Sequence, residues 1–230
     1  MNEYQQRIEK IQKRVHNTAL RYGRNPDTIK LVTITKTQPV AVIKEAIAGG
    51  VEFIGENKVQ EAERKIPELQ GIYREFHFIG HIQSNKINKL LPLKPDLIHS
   101  IDSVELATKI NQRLPKERIQ NILIQVNTSG ETSKYGCEPE QTEAIIRQIL
   151  LLEHINVCGL MTIGKITRDS EAIKENFALL RNLLEKINNT LGTTMRELSM
   201  GMSSDFELAI SEGATILRIG TAIMGSRRQE

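Results

Sequence analysis

Residues 197–221 read Glu197-Leu-Ser-Met-Gly-Met-Ser-Ser-Asp-Phe-Glu-Leu-Ala-Ile-Ser-Glu-Gly-Ala-Thr-Ile-Leu-Arg-Ile-Gly-Thr221. The run Glu197–Met200 predicts a strand. A short helix follows, with Phe206, Ala209 and Ile210 on one face and Gly213 as its stop. Ile216–Ile219 then predicts a second strand. A strand, a helix and a strand in immediate succession form a parallel unit joined by a helical crossover.

The same unit recurs upstream. Ile155–Met161 predicts a strand, and Ile173, Phe177, Leu180, Leu184, Ile187 and Leu191 after it mark a long helical face. Ile122–Asn127 is followed by a helix opened by Pro139, with Ile145, Ile146, Ile149 and Leu150 as its stripe. Asp96–Ile101 leads into a helix capped by Asp102 or Ser103, carrying Leu106, Ala107, Ile110 and Leu114. Phe76–His81 precedes a helix over Asn85–Leu91, and Phe53–Asn57 precedes one over Val59–Leu69. Lys30–Lys36 precedes a helix that starts at Pro39, carries Ile43, Ala46 and Ile47, and stops at Gly49-Gly50. Tyr4, Ile8, Ile11 and Val15 mark a leading helix, ended by Gly23 and Asn25-Pro26.

Eight strands, seven following helices and one leading helix predict an α/β fold, a (β/α)8 barrel. A doubly wound open sheet is the alternative. Little chain follows the eighth strand, so the N-terminal helix is expected to take the place of a full last helix. No linker, low-complexity run or longer repeat divides the chain, and residues 1–230 are expected to form one domain.

Composition narrows the class. Hydrophobic residues make up 39% of 230, enough for one sizeable core, and charge is mixed, with a net value of +3. Basic residues are spread along the chain, and runs such as Arg227-Arg228 are short, so neither a nucleic-acid nor a membrane partner is expected. Cys137 and Cys158 lack CxxC spacing, which argues against a disulfide framework or a cysteine zinc site. Met1–Gln5 begins no apolar leader, and no stretch is long and apolar enough to span a bilayer. A soluble, cytoplasmic protein is expected. It is also expected to be monomeric, because no broad apolar helix face is left unassigned.

Barrel chemistry sits at the C-terminal ends of the strands. On the first strand, Val32, Ile34 and Lys36 share one face. An amine beside two core aliphatics is either a strand-end lysine reaching for water or a nucleophile that can attack a carbonyl. Ser199–Asp205, at the end of the seventh strand, offers small residues, hydroxyls and a following helix N-terminus. Gly220 and Thr221 repeat the pattern after the eighth. Each loop alone reads as a plain turn or cap. Together they lie where barrels bind phosphate. Arg218 shares a side of its strand with Gly220 and serves either a structural ion pair or a ligand.

A lysine on one wall and an anion cup on another suggest an aldehyde cofactor bearing a phosphate, and pyridoxal 5′-phosphate fits. An arginine at its pyridine nitrogen would make it a weak electron sink. Asn57 is a candidate contact, His81–Lys86 a candidate lining of the mouth, and Ser133–Gly136 a candidate cover. His77 and His81 are four apart, but on an expected strand with Gly80 rather than on a helix, so they are not a helical ligand pair and no metal is expected.

These segments resemble the pyridoxal phosphate homeostasis proteins. The resemblance rests on Val32–Lys36, Ile54–Asn57, His77–Lys86, Ser133–Gly136, Gly159–Met161, Leu198–Ser203 and Arg218–Gly225. It implies a barrel like the N-terminal domain of alanine racemase, of pyridoxal-phosphate fold type III. It implies a Schiff base on Lys36, and phosphate contacts from Ser199, Met200, Gly201, Ser203, Gly220 and Thr221. It places Arg218 near the pyridine nitrogen. It implies a non-catalytic role in vitamin B6 and amino-acid balance, with pyridoxal-phosphate-requiring apoenzymes as possible partners. A pyridoxal-phosphate-dependent amino-acid racemase is the alternative. Its second base has no firm candidate, Tyr135 being the one tyrosine placed near the mouth. A cofactor-free barrel enzyme acting on a phosphorylated metabolite is a further alternative.

Overall fold

The structure is a computed structural model and describes residues 2–131, 134–165 and 167–225. Eight strands, all parallel, close into a barrel in chain order. They are β1 (Lys30–Ile34), β2 (Phe53–Glu56), β3 (Glu75–Phe78), β4 (Leu97–Ile101), β5 (Gln120–Gln125), β6 (Ile155–Met161), β7 (Glu197–Ser199) and β8 (Ile216–Ile219). Pairing of β1 with β8, with Val32 opposite Arg218, completes the ring and excludes the open sheet. The outer layer comprises α1 (Glu3–Arg21), α2 (Val40–Ala48), α3 (Val59–Leu69), α4 (Ile87–Leu90), α5 (Val104–Asn111), α6 (Pro139–Ile149), α7 (Ser170–Leu191), α8 (Phe206–Ser211) and α9 (Thr221–Met224).

Helix α1 covers the seam as expected, because α9 is one turn long. Ile8, Ile11, Val15 and Ala19 are buried beneath it. At one edge, Arg7 Nη1 donates to Ile223 O (3.2 Å) and Arg24 Nη1 to Ile210 O (2.9 Å). At the other, Asn2 Nδ2 donates to Glu45 O (3.1 Å), so the helix ties α8 and α9 to α2. Its N-terminus is capped by Asn2, whose Oδ1 accepts the Gln5 N–H at 2.7 Å.

Local differences from the sequence reading have local causes. Strands β1, β3 and β7 stop at Ile34, Phe78 and Ser199, because the residues that follow already turn toward the barrel mouth. The expected helix over Asn85–Leu91 is a single α-turn, α4, flanked by 3₁₀ turns at Ser84–Lys86 and Leu91–Leu93. Pro92 lacks the N–H that would extend it. Ser103, not Asp102, caps α5, accepting the Leu106 N–H at 3.3 Å. In α6, Thr142 joins Ile146 and Ile149 on the buried side, while Leu150 lies past the helix end and is exposed.

Two apolar layers result. One lies between the strands and the helices. The other, smaller, fills the barrel with Val32, Ile34, Leu97, Leu123, Met161 and Ile216. Above this inner layer the strand ends and their loops frame a cavity.

Candidate functional site

The cavity encloses about 550 Å³ at the C-terminal mouth, within the range that holds a small cofactor. Lys36, Thr37 and Gln38 enter it after β1, Asn57 after β2, and Ile79, Gly80 and His81 after β3. Met202, Ser203 and Ser204 follow β7, while Arg218, Gly220 and Thr221 belong to β8 and its exit. Ile34, Met161 and Ile163 supply apolar lining. Lys36 and the β8 loop lie on adjoining walls, because barrel closure pairs β1 with β8.

The turn that carries Lys36 is anchored from behind. Lys65 Nζ donates to Thr35 O (3.0 Å), Glu56 Oε1 (2.9 Å) and Glu61 Oε2 (2.8 Å). Glu61 Oε2 also accepts the Thr37 N–H at 2.7 Å, holding Thr37 at φ 63°. Burial pushes the Glu56 carboxyl up, against the pull of Lys65. Burial acts the same way on Glu61, but hydrogen bonds from Lys65 and the Thr37 N–H outweigh it and hold that carboxyl low. Lys36 itself is half-buried and faces the cavity.

The loops after β7 and β8 meet at Ser203 and Thr221, whose hydroxyl oxygens are 3.4 Å apart. Asp205 Oδ1 accepts the Met202 N–H (2.6 Å) and shapes the first of these loops. Gly201 sits at φ 93°, where a Cβ would come within 2.6 Å of Ala209 Cβ. On the next wall, Gly80 lets its backbone pass against Asn57, since a Cβ there would lie 1.8 Å from Asn57 O. Asn57 Oδ1 is buried with no hydrogen-bond partner among the described residues, an acceptor left for a ligand donor.

Arg218 lies at the base of the cavity, 3% exposed. Nη1 donates to Ser199 Oγ and Nη2 to Thr162 O, both at 2.7 Å. Neither partner is a carboxylate, so no structural ion pair occupies this guanidinium among the described residues. Burial lowers its pKa to about 10, with Asp205 pulling upward, and it remains a cation at neutral pH.

Of the nine residues singled out in the sequence, the cavity brings together Lys36, Asn57, Ser203, Arg218, Gly220 and Thr221. Ser199, Met200 and Gly201 are not in its lining. Ser199 points inside the barrel beneath the mouth, against Arg218 and His99. Met200 faces outward into the strand–helix layer. Gly201 O accepts the Arg218 N–H at 3.0 Å. Within His81–Lys86, only His81 reaches the cavity; Ile82 is core. The His81 ring stacks on Tyr135 at 4.2 Å and 16°, and Tyr135 O accepts from Gln125 Nε2 at 3.0 Å. Tyr135 therefore stands over the mouth as part of the expected cover, while Ser133 lies outside the described residues. Met202 and Ser204 belong to the loop the sequence marks as a whole, and Ile34 to the face it gives Lys36, whereas Met161 and Ile163 were not singled out. Strand parity could also have found Met161, which shares the inner face with Ile34.

This closed parallel barrel, with an amine, a hydroxyl pair and a buried guanidinium around one mouth cavity, is formed by a chain that matches the alanine racemase N-terminal domain family. That family's model matches residues 11–228. Curated relatives are more specific. The chain is 40% identical to the pyridoxal phosphate homeostasis protein of Aquifex aeolicus, over 97% of this chain and 98% of that one. It is 37% identical to the human protein of the same name, over 96% and 85%. The chain belongs to the pyridoxal phosphate homeostasis proteins. Among solved structures, PipY of Synechococcus elongatus with pyridoxal phosphate bound superposes with a TM-score of 0.83 at 32% identity, covering 97% of this chain and all of that one. Alanine racemase of Corynebacterium glutamicum shares the fold, with a TM-score of 0.70 at 14% identity; this chain spans 60% of its length.

Proposed function

We propose that this chain binds pyridoxal 5′-phosphate in the mouth cavity and serves intracellular homeostasis of that cofactor. The observation that carries the reading is the convergence of Lys36, the Ser203–Thr221 hydroxyl pair and Arg218 on one cavity of about 550 Å³. Lys36 Nζ would hold the cofactor through a C=N bond to its aldehyde carbon, with loss of water. Ser203, Gly220 and Thr221 would hold the phosphate, and the orphaned Asn57 Oδ1 would accept a donor from the ligand. When bound, the cofactor supplies an electrophilic carbon and an electron-withdrawing ring. Arg218, a cation that cannot give up its proton near neutral pH, would face the ring nitrogen and disfavour its protonation. A weakened electron sink and relatives named for homeostasis both support a non-catalytic role.

The half-buried Lys36 and the exposed Tyr135 leave the site near solvent, which suits cofactor exchange with apoenzymes that require it. The two free cysteines fit a reducing, cytoplasmic setting. Among the described residues no helix is long and apolar enough to cross a membrane. Tyr135 on the cavity wall is the observation that favours the second reading, a pyridoxal-phosphate-dependent amino-acid racemase.

Borohydride reduction of cofactor-saturated protein, followed by peptide mass spectrometry, tests the attachment. A pyridoxyl increment on the peptide carrying Lys36 is expected. An unmodified Lys36 peptide overturns the reading, and turnover in a chiral amino-acid assay would move the protein to the second one.

A further inference from the structure

Beneath the cavity, the barrel interior holds an unbroken line of polar side chains that ends on Arg218 and whose other members the cofactor reading does not use. Lys30 Nζ lies 2.5 Å from Glu75 Oε2, which is 2.9 Å from His77 Nε2. His77 Nδ1 lies 2.8 Å from His99 Nε2, and His99 Nδ1 lies 2.9 Å from Ser199 Oγ. Ser199 Oγ accepts from Arg218 Nη1 at 2.7 Å. The line runs through β1, β3, β4, β7 and β8, from the N-terminal end of the barrel to the floor of the cavity. His77, His99 and Ser199 are fully buried.

The chemistry of the ends fixes the direction of every bond between them. Glu75 is held ionised, its pKa lowered to about 2 chiefly by the hydrogen bond from His77, with Lys30 assisting. A carboxylate only accepts, so His77 Nε2–H donates to it. Burial lowers the His77 pKa below the usual histidine value despite the hydrogen bond and charge of Glu75, with Lys30 adding to the lowering and Asp96 opposing it, so His77 is neutral at neutral pH. Its Nδ1 is then an acceptor, and His99 must donate from Nε2–H. His99 is driven well below the usual histidine range by burial, with His77, Arg218 and Lys30 adding to the effect. It too is neutral, so its Nδ1 accepts the Ser199 hydroxyl proton. At the far end the guanidinium only donates, and Ser199 Oγ receives it. The reverse direction would point a bare ring nitrogen at Glu75 and strand the Ser199 proton in the barrel, where an unpaired polar group is costly.

We propose that Glu75, His77, His99 and Ser199 are positioning residues that act through Arg218, locking the guanidinium so that its remaining N–H groups are presented to the mouth cavity. Glu75 sets the direction, and each imidazole transmits it. The relay connects an ion pair at the base of the barrel to the group that meets the ligand, and it gives the buried Arg218 cation a polarised path toward a counter-charge it does not touch. The consequence for the ligand rests on the cofactor reading above. The direction of the relay does not.

Two measurements on the whole chain test this. In the ligand-free protein, ¹⁵N-resolved NMR of the imidazoles should show His77 and His99 neutral with the proton on Nε2. Glu75→Gln replaces a pure acceptor by a group that can also donate, so the His99 nitrogens, two hydrogen bonds away, should shift toward the Nδ1–H form. Glu75→Asp should retain the wild-type pattern. A wild-type His99 carrying its proton on Nδ1, or a His99 spectrum untouched in Glu75→Gln, overturns the relay. With pyridoxal 5′-phosphate added, Glu75→Gln and Ser199→Ala should shift the bound absorption band and raise the dissociation constant about fivefold, the lower end of a coupling between separated groups. Wild-type binding with unchanged band and affinity in both variants overturns the positioning role. A wild-type protein that binds no cofactor contradicts the cofactor reading instead, and the NMR result alone then decides the relay.

Discussion

Lys36 owes its placement to a buried charge cluster rather than to its own strand. Lys65 sits between Glu56 and Glu61 at 2.9 and 2.8 Å, with all three side chains nearly or fully buried. Removing one member of such a cluster leaves uncompensated charge in the core, a loss of about 3–5 kcal/mol. Lys65→Met is therefore expected to lower stability in urea unfolding by about that amount. It should also weaken cofactor binding, because Glu61 no longer steadies the Thr37 N–H. A loss under about 1 kcal/mol, the scale of an exposed pair, would contradict this account of the turn. At this scale the sequence was partly legible. Strand parity put Lys36 on the inner face with Val32 and Ile34, and put Arg218 beside Gly220; the structure places both side chains at the cavity. The same parity, applied to β7, separates Ser199 from Met200: one faces the barrel interior and the other the helices. The relay was not legible, because its members are brought together across 22 and 100 residues by barrel closure alone.

Elements with a strong internal period were readable to the residue. Strands β6 and β8 and helix α3 have the bounds their patterns predict. In α7, five of the six predicted face residues are buried, and Asp169 and Gly192 cap its ends. Strands β1, β3 and β7 were read too long at the mouth, because β propensity continues into residues such as Thr35 and Ile79, which the loops recruit. Helix α4 failed for a different reason: it is too short to show a period, and Pro92 interrupts it. The role of α1 followed from counting. Eight strands with seven following helices leave one seam open, and its apolar stripe of Ile8, Ile11 and Val15 fills that seam.

For the molecule as a whole, the buried histidines predict how stability varies with pH. Folding lowers the pKa of both His77 and His99, so the unfolded chain binds protons below about pH 6.5 that the native barrel refuses. Their contribution is complete above that pH and is lost as pH falls. Glu75, lowered to about 2, adds a contribution present above its unfolded value near 4.5 and lost below it. Glu56 and Asp205, raised by burial, act in the opposite sense. Denaturant unfolding of wild type and His99→Gln between pH 7.5 and 5 separates these effects, since the carboxylates act in both. Below about pH 6.5 the wild type should lose about 1.4 kcal/mol per pH unit more than the variant, and parallel profiles would contradict a neutral buried His99. The central claim is that one cavity joins the Lys36 amine, just past β1, to the anion cup formed by the loops after β7 and β8. A crystal structure of the cofactor-saturated protein tests it most directly. The account predicts continuous density from Lys36 Nζ to a pyridine ring beside Arg218, with the phosphate against Ser203 and Thr221. Cofactor density elsewhere, or a phosphate held away from those two hydroxyls, would contradict it.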